Sequence, residues 1–373
     1  MPPCADPPAL GDRVSADDRA ALGILLDLSQ ALLSAQVRSE VEAILTRQSV
    51  RLLGTRYALF LRYLPELDVL RVTAQAGQHA DDLGRTLPRG QGASWRAALG
   101  PDPVLHLRRE HLPPWAMRRA GVPPQHVLYA PLRSSSGRLL GVLTVGREDP
   151  PFLRRDEHLL ATFANTGTVT LQRIHEAARA AATREGALLA LGLALEARDY
   201  ETQGHTGRTV ALSERLGRAL GLEEGEREHL RQGAYLHDIG KLSVPDGILL
   251  KPGPLTPDER ALMQKHVLMG EALVRRIPGM PPEVLGVVRS HHERWDGAGY
   301  PDGRAGEAIP RLARLFSVVD VFDALTHVRP YRAPLSAPAA LDLLRAEAGR
   351  QFDPEVVSAF VSLPLLGPGS RRV

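Results

Sequence analysis

The sequence predicts two domains of different class, an α+β domain followed by an all-α helical bundle. Three observations carry this. The chain has 373 residues, and at about 150 residues per domain that length suggests two domains. Between Tyr57 and Val145 apolar residues form short strand-like runs with helical patterns on either side. From residue 186 onward the strand signal is gone and the punctuation is that of successive helices.

The elements follow in order. Residues 1–20 read as a loose tail with Pro2, Pro3, Pro7, Pro8 and Gly11. Leu22, Ile24, Leu25, Leu28 and Leu32 mark a helix over 21–33, and Val41, Ile44, Leu45 and Val50 a second over 39–53. The period then shortens. Tyr57–Tyr63 and Val69–Ala74 read as strands joined by a turn over Pro65–Asp68. Val127–Leu132 and Leu139–Val145 flank Ser134-Ser-Ser-Gly137, a hairpin signal. Phe152 to about Ile174 is helical again, which completes an α+β domain.

Composition excludes several classes. At 43% hydrophobic and 24% charged residues the chain is neither mostly disordered nor a membrane bundle, and no apolar run approaches the roughly 18 residues a spanning helix needs. A formal net charge of +3 does not indicate a nucleic-acid-coating protein. The one cysteine, Cys4, permits neither an intrachain disulfide nor a cysteine-rich zinc site. The opening Met1-Pro-Pro-Cys-Ala-Asp lacks the pattern of a signal peptide, so a cytoplasmic protein is expected. Of the 46 basic residues only Lys241, Lys251 and Lys265 are lysines. An ammonium and a guanidinium are not interchangeable, so these three positions draw attention.

The layout of residues 21–172 resembles a GAF domain, a small-ligand sensor module. Gly90-Gln-Gly92, the Pro131-Leu…Gly137…Leu140-Gly-Val-Leu hairpin and the closing helix carry the resemblance. Neither cysteine nor lysine occurs there, which excludes a bilin attached through sulfur and the Asn-Lys signature of cyclic-nucleotide-binding GAF domains. Haem through His106, His111 or His126 and a purely dimerising role both stay open, because a loop histidine can equally be solvated. The GAF ligand is unknown.

The helix continues over 171–198, its 173–198 part reading as a linker, with apolar residues recurring at Leu171, Ile174, Ala178, Ala181, Leu188, Leu191 and Ala194. It is either a connector packed on its own domains or a coiled-coil signalling helix in a homodimer. Beyond it, Thr256-Pro-Asp-Glu259 forms a capping box. Pro310, Ser336 and Asp353-Pro-Glu355 open further helices, and Gly349 occupies a C-cap position. Residues 366–373 read as a tail.

The chemistry lies in this second half. His205, His237-Asp238, His266, His291-His292 and Asp320 are spread so that each successive helix contributes one or two ligand-type side chains, which a bundle can converge on its core. Glu201 and His205, at i and i+4, share a face if helical. A His-Asp pair between Ala234-Tyr-Leu236 and Ile239 is costly to bury unless something satisfies both groups. A metal does so, and an all-nitrogen/oxygen donor set suits Fe, Mn, Ni or Zn.

Residues 186–365 are identified as a member of the HD-GYP family on the runs His237-Asp-Ile-Gly-Lys241, His291-His-Glu-Arg-Trp-Asp-Gly-Ala-Gly-Tyr-Pro301 and Asp320-Val-Phe-Asp-Ala-Leu. Asp199-Tyr-Glu-Thr-Gln-Gly-His205, Lys251-Pro-Gly-Pro-Leu and Arg329-Pro-Tyr-Arg332 match in order. The resemblance implies a metal-dependent phosphodiesterase acting on cyclic di-GMP, yielding linear pGpG or GMP. It implies metal ligands at His205, His237, Asp238, His266, His291, His292 and Asp320, with iron or manganese commonest. Glu201 matches the extra ligand of members holding three metals rather than two, so three are expected. It also implies substrate contacts at Asp323, Arg329 and Arg332, with Arg332 standing where lysine is common.

Two close metals clamp the attacking and leaving oxygens of an in-line displacement and lower the pKa of bound water toward about 7. Asp238, with two oxygens, is the natural bridge. Lys241, one turn beyond His237, can reach the phosphate and offset developing charge. Gly299, Tyr300 and Pro301 read as a rigid turn shaping the substrate pocket. Two other readings stay open: a hydrolase of another cyclic dinucleotide, and a sensor that binds cyclic di-GMP without cleaving it.

Overall fold

The computed structural model describes residues 16–78, 82–111, 124–199, 204–328 and 333–364, without the side chains of 16–22 and 25. The chain divides into two compact units, Met1–Ala180 and Ala181–Val373.

In the first unit, helices α1 (Ala16–Ser34) and α2 (Arg38–Leu53) precede a sheet of strands β1 (Tyr57–Leu64), β2 (Val69–Gly77), β3 (Thr86–Pro88), β4 (Leu105–Arg108), β5 (His126–Arg133) and β6 (Leu139–Arg147). The spatial order is β3-β2-β1-β6-β5-β4 and every pairing is antiparallel. Both faces are covered. Phe60, Leu128 and Leu143 pack against Leu32, Leu45, Leu160 and Phe163 of the flanking helices. The alternate residues Leu59, Leu61, Tyr129 and Val142 pack with Trp95 of α3 (Ala93–Leu99).

The α+β expectation holds, with the hairpin at Ser134–Gly137 closed by Ser134 N–H donating to the Arg138 carbonyl (2.9 Å). β3, α3 and β4 have no counterpart in the sequence reading, because runs of three to seven residues are too short to display a period. His106 and His126 are corrected from loop residues to β4 and β5, where they register on the sheet.

A single 46-residue helix, α4 (Arg154–Asp199), takes in both the expected closing helix and the expected linker. Leu171 and Ile174 are used in the core of the first unit, and Leu188 in an apolar cluster of the second with Tyr235, Leu236 and Ile239. Of the proposed stripe, Ala178 and Ala181 remain on an exposed stretch.

The second unit is helical apart from short bridges. It contains α5 (His205–Ala219), α6 (Glu224–Leu236), α7 (Asp246–Leu249), α8 (Pro257–Gln264), α9 (His266–Val274), α10 (Pro282–Ser290), α11 (Arg311–Thr326), α12 (Ala337–Ala346) and α13 (Pro354–Val361). The expected caps form. Thr256 Oγ1 accepts from Glu259 N–H, the Glu259 carboxylate accepts from Thr256 N–H (2.8 Å), and Ser336 and Asp353 cap α12 and α13. Gly349 has a positive φ of 80° but lies two residues past the cap residue Glu347, in a turn whose Gly349 N–H meets the Phe352 carbonyl.

One glycine lets the His237-Asp238 and His266 segments come together. A 3-10 turn, Ile239–Ser243, follows His237-Asp238. A Cβ on Gly240 of that turn would sit 1.8 Å from the His266 carbonyl oxygen and 2.5 Å from Gly270 N of α9. Only a hydrogen side chain lets the turn after Asp238 lie against the helix that begins at His266. Gly240→Ala is expected to destabilise the second unit by about 1–3 kcal/mol or more, read as a lower denaturation midpoint with an unchanged slope in urea.

Candidate metal centre

The seven histidine and aspartate ligands implied by the sequence converge as two groups, whose potential ligand atoms lie within 4.8 Å of one another: Asp238, His266, His291 and His292, and His205, His237 and Asp320. Five segments supply them. His205 is the first residue of α5, His237-Asp238 lie where α6 gives way to the 3-10 turn, His266 starts α9, His291-His292 follow α10, and Asp320 is on α11.

The imidazoles are aimed by their outer nitrogens. His237 Nδ1 lies 2.9 Å from the Ala234 carbonyl and His266 Nδ1 2.8 Å from the Met263 carbonyl. His291 Nδ1 lies 3.1 Å from the Val288 carbonyl, and His205 Nδ1 2.8 Å from Asp323 Oδ2. A carbonyl or carboxylate only accepts, so Nδ1 carries the proton and Nε2 keeps its lone pair toward the centre. Phe316 packs on the His237 ring at 4.7 Å and holds it from the apolar side.

Buried Nε2 of His266 and His291 and Oδ1 of Asp238 have no hydrogen-bond partner among the described residues. His266 Nε2 lies 3.1 Å and His291 Nε2 3.7 Å from Asp238 Oδ1, close but not aligned for a hydrogen bond. Lone pairs converging in a buried core are costly unless a cation satisfies them. The donors are nitrogen and oxygen throughout, and the arrangement fits a divalent transition metal.

Electrostatics prepares the ligands. Burial pulls the pKa of His291 below its ordinary value and that of His292 well below it, with repulsion between the rings adding, so both rings are neutral as metal binding requires. Burial pushes Asp238 upward, but Lys241 and His237 outweigh it and hold the carboxyl well below the usual range. Lys241 Nζ lies 2.7 Å from Asp238 Oδ2 and 3.0 Å from Asp199 Oδ2, so the ammonium is clamped between two carboxylates at the edge of the centre.

Asp323, expected to contact substrate, stands behind His205. Its carboxylate is buried and also takes Arg208 Nε (2.7 Å) and Nη2 (3.0 Å). Burial raises its pKa, yet the hydrogen bonds from His205 and Arg208 bring it to about 2. The structure therefore gives Asp323 the work of orienting His205, a carboxylate–histidine pair of the kind that tunes metal ligands.

Glu201, Arg329 and Arg332 lie outside the described residues. The helical face expected to be shared by Glu201 and His205 therefore also lies outside the described residues; α5 starts at His205, after Gly204 with φ of 85°. The Gly299-Tyr-Pro301 loop is in place. A Cβ on Gly299 would meet Arg294 N at 2.4 Å, and the Tyr300 ring lies 4.9 Å from that of His292 at 31°.

Four residues of the site were not singled out from sequence. Buried Glu293 fixes the loop by accepting from Asp302 N–H (2.8 Å) and Arg304 N–H (3.1 Å). Phe316 and Arg208 are described above, and Glu196 on α4 accepts from Thr206 N–H (3.0 Å). The signal available was a single carboxylate adjoining His292 for Glu293. For the others nothing in the pattern separates them from ordinary helix residues.

Residues 192–356 match the family model described as HD domain, and residues 37–172 the one described as GAF domain. The chain thus joins a region that matches the GAF domain to one that matches the HD domain. The chain is 43% identical over 172 residues to the cyclic di-GMP phosphodiesterase response regulator RpfG of Xanthomonas campestris pv. campestris, covering 46% of each chain. It is 36% identical over 217 residues to 3'3'-cGAMP-specific phosphodiesterase 2 of Vibrio cholerae, covering 58% of this chain and 41% of that protein. It is 41% identical over 175 residues to the cyclic di-GMP phosphodiesterase of Thermotoga maritima, covering 46% of this chain and 47% of that one. The matches thus span less than half the length of these relatives.

Replacing His237 and Asp238 together by alanine removes one ligand from each group. Elemental analysis is expected to show bound metal falling to near zero, while the melting transition of the first unit stays in place.

Proposed function

We propose that the chain is a metal-dependent phosphodiesterase that hydrolyses cyclic di-GMP to pGpG or GMP, governed by its GAF domain. The observation that carries the reading is the pair of largely buried His/Asp groups in the second unit, on a chain whose relatives act on cyclic dinucleotides. Metal ions held there would supply Lewis acidity and a water acidified enough to attack phosphorus at neutral pH.

The protein's own residues do the rest. His205, His237 and Asp320 would hold one ion, and His266, His291 and His292 a second, with Asp238 beside both. Iron or manganese is the proposed metal, with nickel or zinc also suited to the donors. A third ion would require Glu201. Lys241 places a positive charge at the rim, where the non-bridging phosphate oxygens gain charge as water adds and the ribose oxygen leaves. Arg329 and Arg332 are proposed to bind the phosphates from outside, and Gly299, Tyr300 and Pro301 to wall the pocket beside His292.

Two further parts of the reading are a homodimer through the GAF domain and the exposed stretch of α4 around 175–184, and a cytoplasmic location. No helix among the described residues is long and apolar enough to cross a membrane. The domain limits proposed are 21–172 for the GAF domain, 173–198 for the linker and 186–365 for the HD-GYP domain.

A second reading has its own observation: the relative named as specific for 3'3'-cGAMP aligns over 58% of this chain. Protein purified anaerobically and loaded with Fe²⁺ or Mn²⁺ is offered cyclic di-GMP, 3'3'-cGAMP and cyclic di-AMP, with products resolved by chromatography. The expected result is fastest cleavage of cyclic di-GMP. Turnover of 3'3'-cGAMP alone would move the assignment to the second reading, and binding without any product would make the chain a sensor. In the same assay Lys241→Ala is expected to lower kcat by about 10²–10³-fold with a smaller change in KM.

A further inference from the structure

The last turns of α4 reach the metal centre through residues that neither the motifs nor the ligand groups include. Gly192 and Glu196 are four residues apart and share a face of the helix. A Cβ on Gly192 would lie 2.9 Å from Thr206 Cγ2 and 2.9 Å from the Tyr235 carbonyl oxygen, so α4 touches the start of α5 and the end of α6. Glu196, 8% exposed, accepts hydrogen bonds from Gly204 N–H and, at 3.0 Å, Thr206 N–H. Those two amides bracket His205.

The need for this carboxylate follows from the local sequence. The first turn of a helix leaves its amides without partners, and a side chain at the cap position ordinarily accepts from them. Here the cap residue is Gly204, which has no side chain and makes no cap hydrogen bond. Glu196 supplies the missing acceptor from another helix, and its negative charge suits the positive helix end. His205 is thereby held twice: its backbone from α4, and its ring by Asp323 at 2.8 Å. The adjoining residues of α4 grip the opposite side. Arg198 Nη1 donates to the Lys241 carbonyl (3.2 Å), its Nη2 to the Val244 carbonyl (3.1 Å), and Asp199 holds Lys241 Nζ.

We propose that Glu196 is a positioning residue of the metal centre: by capping α5 from α4, it sets where His205 presents Nε2 to the ion shared with His237 and Asp320. Any displacement of the end of α4 then shifts a metal ligand. The proposal rests on the metal-centre reading above, and its test does not require that cyclic di-GMP be the substrate.

The full chain and its Glu196→Ala and Glu196→Gln variants are titrated with Mn²⁺ alone by calorimetry, and kcat and KM are measured on whichever cyclic dinucleotide the wild type cleaves. Positioning predicts Mn²⁺ affinity about 10–100-fold weaker for one class of site in Glu196→Ala. It predicts kcat reduced by a similar factor, KM within about threefold of wild type, and partial recovery in Glu196→Gln, which keeps one acceptor oxygen. A folded Glu196→Ala with wild-type Mn²⁺ affinity and kcat overturns it, as does a variant whose only change is a lower melting temperature. Should Glu196→Ala not fold, Glu196→Gln decides by the same two readouts. A wild type that binds Mn²⁺ but cleaves nothing defeats the phosphodiesterase reading, while the Mn²⁺ titration still decides the role of Glu196.

Discussion

The second unit is organised around one constraint, the need to point imidazole lone pairs and a carboxylate at the same small volume inside an apolar core. Uncompensated polarity of that kind opposes folding. The chain manages it with outer contacts: carbonyls of Ala234, Met263 and Val288 and the carboxylate of Asp323 each take an Nδ1 and fix a ring. Each of the three carbonyls belongs to the helix or turn leading into its own histidine, so the aim of the ring comes with the local backbone. His205 is aimed differently. Its orienting group comes from Asp323, more than a hundred residues away in sequence.

Charge is arranged as a chain of pairs. Asp199, Lys241 and Asp238 alternate in sign across one side of the centre, and Asp323 sits between His205 and Arg208 on another. Buried pairs of this sort contribute little to net stability, because desolvation offsets much of the attraction. Their retention is consistent with a site that needs deprotonated carboxylates and neutral imidazoles. Backbone packing shows the same priority. Gly240 and Gly299 occupy places where any Cβ would collide with backbone atoms, so flexibility in the unfolded chain was accepted in return for close approach at the centre.

The first unit obeys a different logic. Its sheet is covered on both faces by side chains of alternating parity, Phe60 and Leu143 to one side and Leu59 and Val142 to the other. That makes the long strands continuous apolar runs rather than alternating ones, so β1, β5 and β6 are legible in the sequence while β3 and β4 are not. Long buried strands leave a strong compositional trace; three- and four-residue strands depend on pairing partners supplied from elsewhere.

By itself the sequence determined the succession of an α+β domain and a helical one, the helix starts at Pro257, Ala337 and Pro354, and the candidate ligands His205, His237, Asp238, His266, His291, His292 and Asp320, because caps and motif runs are local. Tertiary structure alone decided how those ligands divide into two groups, since the division depends on which helices meet. It set Asp323 behind His205, and it started α5 at His205, after a Gly204 in the left-handed region. It also recruited Glu196, Arg208 and Phe316, whose roles come from partners distant in the chain. A glutamate on a long helix reads as a solvated face until another helix start, lacking a cap of its own, is brought against it.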